Sequence, residues 1–336
     1  MVFCGLTNQH NSRMTNNTLN TKKNALPSFL NAYGTVAALL LICLVFAVLS
    51  PNAFATLGNA VNVSRQIAFL VLVAVGATLV MAAGEFDLSV GASASLGGVM
   101  AAQLAVAGVY LPLAVLLTLG AGLVFGMLNG WLVGRFNLLS FITTLATGTM
   151  LAGFTFWLTD GSTVFNKIPE GFSAWGRAVV LGVPGPSWVM AGVVVTAWVL
   201  THRTPFGRQL YAVGGNERAA RLVGVNVLRH KVWAFGLCAL VATGAGVLLA
   251  SRLGSAHPTG GSSLLLPGYA AAFLGMTANR SGVPHVLGSL LGAATLGILA
   301  NGLTILNVPS FLQDVVTGAI VVAAVVFQKI SAGGTR

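Results

Sequence analysis

Charge is what this sequence has least of. Asp, Glu, Lys and Arg make up 7% of its 336 residues, against about a quarter in a soluble domain. So few charges cannot keep a globular surface wet, so the bilayer is the chain's main solvent. Cysteine is scarce too. Cys4, Cys43 and Cys238 have no pairable spacing, which excludes a disulfide framework and a zinc site. His257 and His285 stand alone, without metal-ligand spacing, and no His/Asp/Glu cluster faces a common site. Of the lysines, Lys22, Lys23, Lys167, Lys231 and Lys329, none follows a glycine. The Gly-Lys step that cradles phosphates in a Walker A loop is therefore missing, and this chain cannot hydrolyse ATP by that route. Residues 1–28 are Asn/Thr-rich and lack an apolar core, so they do not read as a cleaved signal peptide. They are expected to form a disordered cytoplasmic tail.

Apolar residues are abundant, at 56%, and the 42 glycines suit close helix packing in a membrane. Ten apolar stretches of spanning length are predicted, at 33–49, 67–83, 88–107, 111–133, 139–158, 187–200, 232–250, 268–278, 283–303 and 311–327. All should be helices, because unpaired backbone in lipid is heavily penalised. Trp131, Trp157, Trp175 and Trp188 lie near span ends and read most simply as interface anchors. A single membrane domain, 29–330, results, with a basic loop at 201–231 and a short tail at 331–336. The net charge of +11 would suggest nucleic acid in a soluble protein. Here it fits the retention of Lys and Arg on cytoplasmic loops. With both termini inside, 13 basic residues fall on the cytoplasmic side and 4 outside. The predicted fold class is thus an all-α polytopic membrane protein, N-in and C-in.

The chain also echoes itself. Asn137-x-x-Ser140-Phe141 followed by Thr147-Gly148 recurs 170 residues later as Asn307-x-x-Ser310-Phe311 and Thr317-Gly318. Upstream, Asn129-Gly130 matches Asn301-Gly302, and Gly91-x-x-Ala94-x-x-x-Gly98 matches Gly268-x-x-Ala271-x-x-x-Gly275. In the predicted topology the two copies face opposite ways, as two inverted five-helix repeats. The competing account is coincidence among Gly-rich helices.

In the loop after the sixth span, Asn216 suits an N-cap, Glu217 the positive helix N-terminus and Gly224 the residue past the helix end. A two-turn helix over 216–223 follows, too short to be stable alone in water. Either a partner surface holds it or it is a solvated connection. Glu85 and Asp87 are the paired acids nearest a membrane boundary. Two readings stand: contact with a sugar hydroxyl or a proton, or helix ends, with Asp87 capping the third helix and Glu85 closing the second. Polar candidates for a substrate pathway are Ser93, Ser95, Gln103, Asn129, Thr143, Thr144 and Asn301, each equally suited to helix packing.

Gly214-Gly-Asn-Glu-x-Ala-Ala-Arg-x-x-Gly-Val-Asn226 closely resembles the cytoplasmic loop of bacterial ABC-importer permeases of the ribose-type monosaccharide transport family. Glu85-Phe-Asp-Leu-Ser-Val-Gly91 and Arg252-Leu-Gly-Ser-Ala-His-Pro258 resemble two further family signatures, and the likeness extends over roughly residues 35 to 330. The resemblance implies a permease subunit of the bacterial cytoplasmic membrane that translocates a monosaccharide or small polyol. Its implied partners are a cytoplasmic ABC ATPase subunit carrying the ATP and Mg, an extracellular or periplasmic solute-binding protein, and a second permease copy or homologue. No cofactor, metal or nucleic acid is implied for this chain. Residues Asn216, Glu217, Arg218, Ala219, Ala220, Arg221 and Gly224 would form the coupling helix. Its apolar side, Ala219, Ala220 and Val223, is expected to enter a cleft of the ATPase, with Arg218 and Arg221 on one flank. The segment Thr277–His285 departs from the family's Gly-Gly-x-Gly pattern. A single-chain ion-coupled transporter is the alternative; the scarcity of ionisable residues within the spans weighs against it.

Overall fold

The computed structural model describes residues 28–277 and 282–333. The expected N-terminal tail (Ser28 apart), Cys4, Arg280, part of the atypical 277–285 segment and residues 334–336 lie outside the described residues. In order come α1 (Ser28–Leu49), α2 (Leu57–Ala82), α3 (Val90–Val106), α4 (Leu111–Phe136) and α5 (Ser140–Leu158). Next are α6 (Glu170–Arg177), a small antiparallel hairpin of β1 (Val179–Val180) and β2 (Val183–Pro184), and α7 (Gly185–Arg203). Then follow α8 (Pro205–Gly215), α9 (Glu217–Leu222) and α10 (Val227–Leu253). A 3-10 turn (Ser262–Leu264) leads into α11 (Leu265–Thr277), α12 (Val286–Ile305) and α13 (Ser310–Gly333).

Among the described residues, five helices are long and apolar enough to cross a bilayer: α2, α4, α5, α10 and α12. This is an all-helical membrane protein. The best-buried spanning helix is α2, with 78% of its apolar window inside the protein, whereas α4 and α5 bury only 22%. Leu116, Val124, Ile142, Met150 and Trp157 project from those two helices at 60% exposure or more. That surface suits lipid, in which apolar side chains need no cover.

Glycines let the inner helices touch backbone to backbone. A Cβ at Gly126 of α4 would sit 2.3 Å from the Phe235 carbonyl oxygen of α10, and one at Gly97 of α3 2.2 Å from that of Thr243. Gly76 of α2 lies against Cys238, while Phe69 lies under the Arg252 guanidinium, so α2 and α10 run antiparallel. One end of the bundle carries the end of α2, α8, α9 and the start of α10; the other carries α6, the hairpin and Leu253.

Two helices, α3 and α11, fall short of a full span because both begin inside the bundle. The chain leaves α2 at Ala82, turns at Gly84 (φ +79°), and starts α3 beside Asn129 and Gly148. Those positions lie about two turns in from the ends of α4 and α5. Similarly, the segment after α10 returns into the bundle, where the Gly261 N–H donates to Ser95 Oγ at 2.9 Å. The two matched asparagines behave alike: Asn137 and Asn307 take φ of 52° and 56° just after α4 and α12.

The structure differs from expectation in three places. α2 begins at Leu57 rather than near 67, because Thr56 accepts the Asn59 N–H (3.2 Å) and starts the helix early. The polar loop expected before α7 contains α6 and the hairpin. The basic loop 201–231 is mostly helical, since α8 precedes α9.

Candidate functional site

Non-helical backbone at membrane depth must be satisfied by protein. Between α2 and α3, five consecutive N–H groups find acceptors. Glu85 donates to the Val80 carbonyl at 3.1 Å and Phe86 to Ser140 Oγ at 3.2 Å. Asp87 donates to the Tyr269 hydroxyl at 2.7 Å and Leu88 to Thr144 Oγ1 at 2.9 Å. Ser89 donates to Asp87 Oδ1 at 2.8 Å, and its hydroxyl donates to the same oxygen. The Tyr269 hydroxyl in turn donates to the Asp87 carbonyl at 3.0 Å. Hydroxyls from α5 and α11 thus stand in for helical partners, and the breakpoint of one helix is clamped by two others.

This geometry corrects the two capping expectations. Ser89, not Asp87, precedes α3 as N-cap, and it makes no side-chain cap bond; Asp87 forms an Asx turn ahead of it. Glu85 does not close α2, which ends at Ala82. Its carboxylate goes to Lys231 instead.

The remaining pathway candidates hold contacts within the chain. Asn129 Nδ2 donates to Ser89 Oγ at 3.0 Å, Ser95 Oγ donates to the Gly91 carbonyl at 3.1 Å, and Gln103 Nε2 donates to the Leu158 carbonyl at 3.0 Å. Asn301 Oδ1 accepts from Asn59 Nδ2 at 3.0 Å, joining α12 to α2. Thr143 and Thr144 both bond back within α5, to Leu139 and Ser140. Ser93 is fully buried, and its hydroxyl, Asp87 Oδ2 and Asn129 Oδ1 make no hydrogen bond among the described residues. Asp87 and Asn129 meet at the Ser89 hydroxyl, whereas Gln103 and Asn301 bond elsewhere, to Leu158 and Asn59. Among the described residues no three or more His, Cys, Asp and Glu are grouped so that they could hold a metal ion.

The segment expected to carry the coupling helix is built by three caps in succession. Thr204 Oγ1 accepts the Gly207 N–H at 3.3 Å and starts α8, with Pro205 in its first turn. Asn216, in extended conformation, accepts the Ala219 N–H at 3.0 Å and starts α9. Asn226 accepts the Arg229 N–H at 3.0 Å and starts α10. Between the last two, Gly224 takes φ +84°, the left-handed turn that lets the Val225 N–H reach the Ala220 carbonyl at 3.0 Å. The end of α8 sits on the end of α2 through backbone alone: a Cβ at Gly214 would lie 2.2 Å from the Ala82 carbonyl oxygen. Tyr211 donates its hydroxyl to the Pro284 carbonyl at 2.7 Å, and burial raises its pKa to about 12.

One expectation about α9 is overturned. Ala220 does not face outward. It is 3% exposed and packs on Val213 and Val227, from the helices on either side. Ala219 is exposed, and the large apolar side chains that face outward are Leu222 and Val223, at 88% and 78% exposure. Arg218 is exposed, while Arg221 pairs with Glu217 at 2.6 Å along the helix. A polar cleft of about 520 Å³ opens beside α9, lined by Arg135, Asn137 and Arg221 among others.

Lys231 was no candidate from the sequence. It opens α10 as one more basic residue at the start of an apolar helix, and nothing local marks it out. In the structure its side chain is 6% exposed, and its ammonium meets Glu85 Oε1 at 2.6 Å and Glu217 Oε2 at 2.9 Å. These partners belong to the broken segment and to α9.

The chain matches, over residues 59–325, the family described as "Branched-chain amino acid transport system / permease component". It is 40% identical over 297 residues to the ribose import permease protein RbsC of Bacillus subtilis (strain 168), covering 88% of this chain and 92% of that one. Against RbsC of Escherichia coli (strain K12) the identity is 37% over 315 residues, 93% and 98% of the two chains. Against the xylose transport system permease protein XylH of Escherichia coli (strain K12) it is 32% over 357 residues, 88% and 91%.

Proposed function

The chain belongs to the branched-chain amino acid transport system / permease component family, and from that premise we propose its substrate class, partners and orientation. It is the membrane permease subunit of an ABC importer, resident in the cytoplasmic membrane, and not an enzyme. The cargo is a monosaccharide or similar small polyol; relatives named for ribose and for xylose import support that class. ATP hydrolysis falls to a separate ATPase subunit, a binding protein delivers the sugar, and a second permease copy or homologue completes the pathway.

The observation that carries the reading is the mounting of α9. A six-residue helix has no stability of its own in water. Here it is capped at both ends, seated on α8 and α10, and turns Leu222 and Val223 outward. Such a mount suits a helix that is pushed by a partner. The orientation follows from charge. Arg203, Arg208, Arg218, Arg221 and Arg229 gather at the α9 end, which is therefore cytoplasmic, with both termini inside and ten crossings in two inverted halves. The shared backbone of Asn137 and Asn307, and the break before both α3 and α11, support the two halves.

The test is uptake of D-ribose and D-xylose by vesicles holding this chain with its cognate ATPase and binding protein. ATP inside the vesicles should drive uptake, and an imposed proton or sodium gradient should not. Gradient-driven uptake without ATP would overturn the reading. Cysteine labelling from outside should reach position 170 and not position 336; the reverse would overturn the orientation.

A further inference from the structure

We propose that Lys231 is the positioning residue that ties the coupling helix to the breakpoint between α2 and α3. Through it, movement of α9 is delivered to the backbone ahead of α3 instead of being lost in the loop. This rests on the reading above, that α9 is where an ATPase pushes.

A charge this deeply buried is tolerated only when paired, and Lys231 is paired twice, with acids from two different elements. Glu217 is 35% exposed and sits in the first turn of α9; Glu85 is 16% exposed and lies one residue after Gly84. One ammonium therefore bridges the moving part and the breakpoint. Its own backbone is fixed. Gly130 of α4 lies so close that a Cβ there would be 2.7 Å from the Lys231 carbonyl oxygen.

The two carboxylates are not equivalent. Glu217 has a second cation, Arg221 at 2.6 Å, whereas Lys231 is the one cation within ion-pair distance of Glu85 among the described residues. If the bridge breaks, Glu217 keeps a cation and Glu85 does not, so the Lys231–Glu85 half, the shorter and more buried one, is the sensitive half. Beyond Glu85 the chain is non-helical as far as Ser89 and held by hydroxyls of α5 and α11. A displacement of Glu85 is therefore a displacement of the contacts that seat α3.

The experiment has two arms, run on the parent, Lys231→Met, Lys231→Arg and Glu85→Gln. In the first, the whole importer is reconstituted and ATP hydrolysed per sugar imported is measured, with subunit assembly checked by co-purification. Lys231→Met and Glu85→Gln should raise that ratio about tenfold with assembly intact, within the range usual for coupling between sites, and Lys231→Arg should restore most of it. In the second, the chain alone in lipid nanodiscs carries spin labels at positions 222 and 138 in a cysteine-free background. The distance distribution should broaden in Lys231→Met and stay narrow both in Lys231→Arg and in Glu85→Gln, which keeps the Lys231–Glu217 pair. A parent-like ratio in Lys231→Met and Glu85→Gln, or a parent-like width in Lys231→Met, overturns the proposal. Should Lys231→Met fail to fold, Glu85→Gln decides alone, because it leaves Lys231 its Glu217 partner. If the parent importer shows no ATP-driven uptake, the functional reading falls, and the distance arm still decides whether the bridge holds α9.

Discussion

Gly214 and Gly215 are neighbours at the end of α8, yet the structure predicts opposite outcomes when each becomes alanine. At Gly215 nothing lies within 4 Å of an added methyl, while at Gly214 the methyl would meet Ala82 O at 2.2 Å and Gly84 N at 2.8 Å. A carbon and a carbonyl oxygen ordinarily stay about 3.3 Å or more apart, so α8 and the end of α2 must separate by about 1 Å. Neither obstacle is a side-chain end that could swing away. Overpacking of this kind costs about 1–3 kcal/mol. Both substitutions share the gain of replacing glycine in a helix, up to about 1 kcal/mol, so the difference between the variants isolates the clash. The assay is thermal unfolding of the purified permease in one detergent, followed by ATP-driven uptake. Gly215→Ala should match or exceed the parent in both. Gly214→Ala should melt earlier by the equivalent of about 1–3 kcal/mol and lose transport more than assembly, because α8 carries α9. Indistinguishable variants would refute the claim that α8 seats on α2 through bare backbone.

Asp87→Asn should keep most uptake, because an amide oxygen can still accept from Ser89; Asp87→Ala should cost about 1–2 kcal/mol, as lost caps do, and a dead Asp87→Asn with normal folding would instead assign the carboxylate to transport. The Lys231 ammonium, and after it Arg221, hold the Glu217 carboxyl below the usual carboxylate range against an opposing effect of burial. A depressed folded pKa means this contribution is full above the ordinary carboxylate value and is lost as pH falls through the folded one. Labelling at position 222 should therefore be constant from neutral pH down to that range and rise only below it; a transition near neutrality would contradict the pairing. Replacing Leu222 and Val223 by Ser should weaken ATPase binding with little change in the permease's own melting, whereas Ala220→Leu should destabilise the permease itself; equal effects on both measurements would refute the assigned faces.

What was legible in the sequence is what has a local signature. Asn216 and Gly224 announce the two ends of α9 because a cap and a left-handed stop each act over three or four residues. The third span was expected from Leu88, two residues from where α3 begins, because Gly84 and Asp87 punctuate an apolar stretch. The facing of α9 was not legible. Two turns of Ala, Arg and Leu have no dominant apolar stripe, and Ala220 points inward only because Val213 and Val227 lie there, on separate helices. Lys231 was hidden for a stronger reason. A lysine at the start of an apolar helix is what the charge rule for cytoplasmic ends leads one to expect, so its presence carries no surprise. Its meaning lies in Glu85, which only the packing of α2 against α10 brings near.

The polar side chains show the same limit from the other side. A hydroxyl on a membrane helix reads as a pathway group or as packing, and composition cannot choose. The backbone can. A non-helical stretch at bilayer depth has N–H groups that lipid will not satisfy, each costing several kcal/mol if left alone. Phe86, Asp87 and Leu88 place three such groups in a row, and Ser140, Tyr269 and Thr144 accept them one for one. These hydroxyls are therefore committed before any sugar arrives, and removing one leaves a buried donor without a partner. A transporter that breaks a helix inside the membrane must supply its polar groups from elsewhere in the fold. Here α5 and α11 supply them, so a shift of the broken segment cannot leave either helix unaffected.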